Sequence, residues 1–125
     1  MNSEVVLLQV EPTLTQLIAQ TMSPELPTLS TDVAQAERDA LLASGTRYLA
    51  GISTRLTQQS IKVSSEVVEG TPGTAILDYA NKHDISLIAM STHGRGGLGR
   101  LVYGSVANSV LRHSDVPLLL IRQRD

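Results

Sequence analysis

Five of the chain's nine glycines fall between two hydroxyl-bearing ends, in the stretch Ser91-Thr92-His93-Gly94-Arg95-Gly96-Gly97-Leu98-Gly99-Arg100-Leu101-Val102-Tyr103-Gly104-Ser105. Glycine lets backbone N–H groups turn inward with no Cβ in the way. Ser91, Thr92 and Ser105 add hydroxyl donors, and either Arg95 or Arg100 can neutralise negative charge. Such a donor set suits a phosphate rather than a nucleophilic or redox reaction. His93 either touches that phosphate or shapes the loop. A Gly-rich stretch is also what a purely structural loop looks like, and that alternative stays open on the residues alone.

Two named phosphate motifs are tested by spacing. The P-loop needs a Gly-Lys-[Ser/Thr] end, and the lysine is missing. Gly94-x-Gly96-x-x-Gly99 matches the dinucleotide pattern literally. That pattern requires a following helix, a strand and then an acidic residue. Here Asp115 precedes the next strand, and nothing acidic follows at the right place. Both motifs are set aside.

The stretch must be held by the elements around it. Val5 to Val10 is a nearly continuous apolar run ending at Glu11-Pro12, which predicts a strand over about 5–10 buried on both faces. Residues 12–30 hold Pro12, Pro24 and Pro27 and read mostly as a loop, with Leu14, Leu17 and Ile18 marking a short amphipathic turn. A long helix is predicted from 31 to about 59, capped by Ser30 or Thr31. Val33, Ala36, Ala40, Leu41, Tyr48, Leu49, Ile52 and Leu56 are its apolar face. Ile61, Val63, Ser65 and Val67 alternate with polar residues, predicting a half-buried or edge strand over 62–68. Gly70-Thr71-Pro72 predicts a turn and a helix start, with the helix over 72–83. A buried strand over 86–91 leads into the Gly-rich stretch, followed by a helix over 105–113 and a strand over 117–122. Alternating strands and helices predict an α/β fold, an open parallel sheet of about four strands with helices on both faces, in one domain spanning 1–125.

Composition narrows the function classes. The chain has no Cys, Phe or Trp and only Tyr48, Tyr79 and Tyr103 as aromatic residues. Thiol catalysis, disulfides and Cys-based zinc sites are excluded. An aliphatic core is expected, and a single-strand nucleic-acid platform lacks its stacking rings. A net charge of −2 gives no reason to expect nucleic acid. Residues 91–125 nevertheless carry five arginines against Asp115 and Asp125, either ordinary scatter or an anion site near that end. No run is long and apolar enough for a membrane span, and no secretory leader is visible, so a cytoplasmic location is expected. His83 and His113 sit near predicted helix C-termini and suit capping; with His93 they are too dispersed for a metal set. Glu66, Glu69, Asp78 and Asp84 read as surface carboxylates, Tyr103 as a packing residue, and Arg122 and Arg124 as solvated. No catalytic base stands out.

The segment from Leu87 to Arg112 (LIAMSTHGRGGLGRLVYGSVANSVLR) closely resembles the C-terminal half of universal stress proteins, as does Val116 to Arg122. Upstream, Val67 to Ala80 resembles that family's strand–turn–helix, and Val5 to Pro12 its second strand. The likeness covers nearly the whole chain and is most specific over residues 67–122. The ATP-binding branch carries a G-x2-G-x9-G-[ST] signature. Gly94, residues 95–103 and Gly104-Ser105 match its later part with the right spacing, whereas Ser91 stands where the first glycine belongs.

The resemblance implies an adenine nucleotide, ATP with its Mg2+, as ligand. Gly94, Gly104, Ser105 and the Val106 amide would hold phosphates, with Ser91, Thr92, His93 and Arg95 beside them. Val10 and Met90 would line the adenine pocket. It implies a homodimer through the last strand, Pro117, Leu118, Leu119, Leu120 and Ile121, with no nucleic-acid or membrane partner. The family's first strand, with its Asp-bearing turn, and first helix have no counterpart here. The implied strand order therefore has a central gap: the strand over 5–10 closes onto that over 86–91, the favoured arrangement, or a partner chain donates a strand, or the sheet stays partly open. Two functions follow: a nucleotide-binding stress-response protein with at most weak ATP hydrolysis, or an interaction module that keeps the fold without the ligand.

Overall fold

The computed structural model describes residues 3–21, 31–93 and 104–123. The chain forms two compact units, Met1–Thr71 and Pro72–Asp125.

In the first unit, strand β1 (Glu4–Glu11) pairs in parallel with β2 (Lys62–Glu69), Val5 opposite Val63 and Val10 opposite Val68. Helix α1 (Leu14–Thr21) follows β1 where the sequence reads mainly as loop. Its start is a reciprocal capping box. The Gln16 amide N–H donates to Thr13 Oγ1 at 3.2 Å, and the Thr13 amide N–H donates to Gln16 Oε1 at 2.8 Å. The Gln16 side-chain amide also donates to Thr71 Oγ1 at 3.1 Å. Helix α2 (Thr31–Gln58) packs on α1 and on both strands, burying Ala34, Gly45 and Leu49. At Gly45 the helix lies close against both strands: an added Cβ would lie 2.9 Å from Gln9 Nε2 and 3.3 Å from Val67 Cγ2.

The inward face of α2 differs from the sequence expectation. Leu41, Leu49, Ile52 and Leu56 do face inward, but Val33, Ala36, Ala40 and Tyr48 are exposed, Tyr48 at 65%. The apolar residues of α2 thus lie on two sides of the helix, and three- and four-residue steps alone cannot say which side packs. The helix ends in a Schellman motif. Ser60 takes φ 64°, the Ile61 N–H donates to Leu56 O at 3.1 Å and the Ser60 N–H to Thr57 O at 3.0 Å.

Glu69, read from sequence as a free surface carboxylate, is held by Arg38 through two 2.7 Å hydrogen bonds from Nε and Nη2. Hydrogen bonding to Arg38 keeps its carboxyl below the usual carboxylate range. A depressed pKa stabilises the fold above the unfolded carboxyl value of about 4.3, and that stability is lost as pH falls through the folded value. Arg38→Gln is therefore expected to flatten the stability profile between neutral and acid pH, read by urea unfolding at a series of pH values. Superimposable profiles would refute the coupling.

In the second unit, α3 (Pro72–Lys82) leads to β3 (Ile88–His93), α4 (Ser105–His113) and β4 (Leu118–Gln123). Gly70, at φ 147°, makes the turn before α3 in a conformation L side chains rarely adopt. The turn after α3 places Asp84 at φ 51°, with the Ile85 N–H donating to Ala80 O at 3.0 Å. β3 and β4 are parallel, Ile88 opposite Leu118 and Ser91 opposite Ile121. The core is aliphatic as expected: Ala80, Ile88 and Val110, with Ile76, Leu77, Met90, Val106 and Leu118 packed around them.

Helices α3 and α4 meet at Gly73, where an added Cβ would lie 2.7 Å from Ser109 Oγ and 3.0 Å from its Cβ. The hydroxyl can rotate away; the Cβ is fixed to the α4 backbone. Gly73→Ala is therefore expected to destabilise by about 1–2 kcal/mol. Gly51, exposed in α2 with nothing within 4 Å of an added Cβ, is the control. Gly51→Ala is expected to stabilise by about 0.5–1 kcal/mol. Denaturant melts with shifts of the same sign would refute this pair.

Among the described residues, strand pairing is confined to β1–β2 and β3–β4. A ladder between β1 and β3, the favoured closure, is not among these pairings. The α/β class with parallel strands, about four in number, is as expected.

Candidate functional site

The sequence-predicted site falls mainly in the second unit. β3 runs to His93, so Ser91, Thr92 and His93 lie on the strand and not in the loop after it. β3 and β4 are parallel neighbours, so α4 carries the chain back between them. Its N-terminus accordingly stands at the C-terminal end of β3, where ligands of open α/β sheets bind. Gly94 and Arg95, with the rest of 94–103, lie outside the described residues.

Gly104 is the N-cap of α4, at φ −56° and ψ 160°, with no side-chain cap. The first intrahelical bond runs from the Asn108 N–H to Gly104 O at 2.9 Å. By helix geometry the amides of Ser105, Val106 and Ala107 then have no intrahelical acceptor. Among the described residues, nothing lies within 4 Å of where a Gly104 Cβ would stand. Val106 is half-buried and packs with Met90 on the Ile88–Val110 cluster, which anchors both the helix start and the strand end. Ser105 is exposed, and so is Ser91.

The remaining expected site residues are more scattered. Val10 is half-buried near the end of β1, in the first unit. His113 closes α4, and His83 follows α3 with its ring stacked 4.0 Å from that of Tyr79, consistent with helix-end placement. Arg122 lies on β4, while Arg100, Tyr103 and Arg124 lie outside the described residues. Among the described residues, no group of three or more acidic or histidine side chains is placed to hold a metal ion. No described helix is long and apolar enough to cross a membrane. In the last strand, Leu118 packs inward while Leu119 and Ile121 are 50% and 52% exposed, and Pro117 accepts the Ile88 N–H at 3.0 Å.

A family model described as the universal stress protein family matches residues 1–122. The chain belongs to that family. Universal stress protein MJ0531 of Methanocaldococcus jannaschii is 31% identical over 85 residues, 68% of this chain and 50% of that protein. Universal stress protein Rv2005c of Mycobacterium tuberculosis is 34% identical over 99 residues, 79% of this chain and 31% of that protein. The chain thus spans half or less of the length of these universal stress proteins. The solved structure of protein MJ0577, also from Methanocaldococcus jannaschii, superposes with a TM-score of 0.77. It is 22% identical and covers 100% of this chain and 79% of that one, which shows a shared fold.

Proposed function

We propose that this universal stress protein family member is a cytoplasmic stress-response protein that binds an adenine nucleotide, with the phosphates at the N-terminus of α4. The observation that carries the reading is the start of α4 at the carboxyl end of β3, where Gly104 is an N-cap without a side-chain hydrogen bond and, among the described residues, nothing lies within 4 Å of its Cβ position. It closes a sequence whose Gly94, Gly104 and Ser105 fit the family's phosphate signature. Backbone amides and the positive end of the helix dipole hold the anion, with Ser105 adding a hydroxyl. Arg95 adds charge, Thr92 and His93 flank the phosphates, and Met90 contributes apolar surface for the base. Mg2+ arrives with the triphosphate. No group here is assigned to bond breaking, so the role is binding and signalling.

The 1–125 chain acts as one family domain and pairs with a second copy through Pro117–Ile121. The exposed Leu119 and Ile121 support that pairing, because an apolar strand at a sheet edge is a liability unless covered.

A second reading, an interaction module without ligand, is favoured by Ser91. Its exposed side chain stands where the signature has glycine. One experiment separates the two. Freshly purified protein is denatured and the supernatant analysed for adenine nucleotide. Nucleotide in stoichiometric amount is expected; a clean supernatant, together with no uptake from added ATP, selects the second reading.

A further inference from the structure

Helix α2 carries charge that changes sign along its length. Asp32, Glu37 and Asp39 lie in its first third, Arg47 and Arg55 in its second half, while Arg38 is engaged inward with Glu69. The face turned away from β1 and β2 is apolar over much of its length: Val33, Ala36, Ala40, Ala43 and Ala50 are all exposed. With Arg47 they fall at alternating three- and four-residue steps, the spacing of a helix–helix seam.

We propose that this outer face of α2 is an interface with the same face of a second copy, the two helices running antiparallel. One register satisfies both packing and charge. With Ala40 opposite Ala43 of the second copy, Val33 falls opposite Ala50 and Arg47 opposite Ala36. Alanine at these positions permits an interaxial distance near the lower end of about 8–10 Å. In the same register the Arg47 guanidinium lies among Asp32, Glu37 and Asp39 of the second copy, twice by symmetry. A parallel pair would set acid against acid and Arg47 against Arg47, so the charge pattern selects the antiparallel one. A two-fold contact of this kind is self-complementary and closes. It is separate from the pairing through Pro117–Ile121, and with it would build an assembly larger than a dimer.

Sedimentation velocity over a concentration series reaching the millimolar range tests the interface. The parent is the Leu119→Lys chain, in which the β4 pairing is removed, so failure of that pairing and failure of this one are told apart. Arg47→Glu, and the paired change Glu37→Lys with Asp39→Lys, all at exposed sites, are each added to it. The parent is expected to self-associate. Each charge reversal should weaken association at least about tenfold, and an equimolar mixture of the two should restore it, since both contacts of the mixed pair are again opposite in sign. A parent that stays monomeric, variants that associate like the parent, or a mixture that does not recover would each overturn the proposal.

Discussion

Val110→Asp is expected to unfold the second unit. Val110 has 0% exposure and stands with Ala80 and Ile88 at the centre of that unit's core, while its carbonyl accepts the Ser114 N–H at 2.9 Å. No buried polar or charged residue lies among the described residues to receive a carboxylate there. An unpaired buried charge costs more than about 4 kcal/mol, a large part of the stability of a domain this size. Val110→Thr keeps the shape and adds only a hydroxyl, so its cost is expected at about 1–3 kcal/mol. Hydrogen exchange on the full chain is the readout. In Val110→Asp, amide protection should vanish across α3, β3, α4 and β4; in Val110→Thr it should fall but persist. Retained protection in the aspartate variant would contradict the assigned core.

Gly104→Asp is expected to leave the fold intact and remove the ligand. Aspartate is a good N-cap, and the φ and ψ at Gly104 are open to an L residue, with no described residue within 4 Å of its Cβ position. Helix α4 should therefore be as stable as before or slightly more so. The same carboxylate occupies the amides assigned to phosphate and opposes its charge at a few ångströms. Affinity for ATP should fall roughly 100-fold, corresponding to about 2.7 kcal/mol. Thermal melting and calorimetric titration on one preparation separate the two effects. Unchanged affinity would move the phosphates away from α4, and a large loss of stability would show that Gly104 is needed for the backbone.

Much of this was legible in the sequence because its signals were local. β1 announces itself by Val5 to Val10, α3 by Gly70-Thr71-Pro72, and β4 by Leu118 to Ile121 after Pro117. What escaped had two causes. Helix α1 lay in a proline-containing stretch where composition outweighed a signal that was present, Thr13 and Gln16 at capping-box spacing. The inward face of α2 escaped because apolar residues lie on both sides of that helix. Only packing decides that Gly45, which has no side chain to declare itself, faces the strands while Tyr48 does not. The pairing of Arg38 with Glu69 joins residues 31 positions apart, beyond any local pattern. For the candidate site, the resemblance pointed to Gly104 and Ser105, which lie at the start of α4, while the end of β3 at His93 needed the ladder with β4.

On the proposed function, the start of α4 receives the phosphates of an adenine nucleotide. Isothermal titration of the intact chain with ATP, alongside adenosine, tests it most directly. Saturable heat with ATP at one site per chain and far weaker binding of adenosine are expected. No heat and no thermal shift at millimolar ATP, or equal affinity for the two, would contradict it.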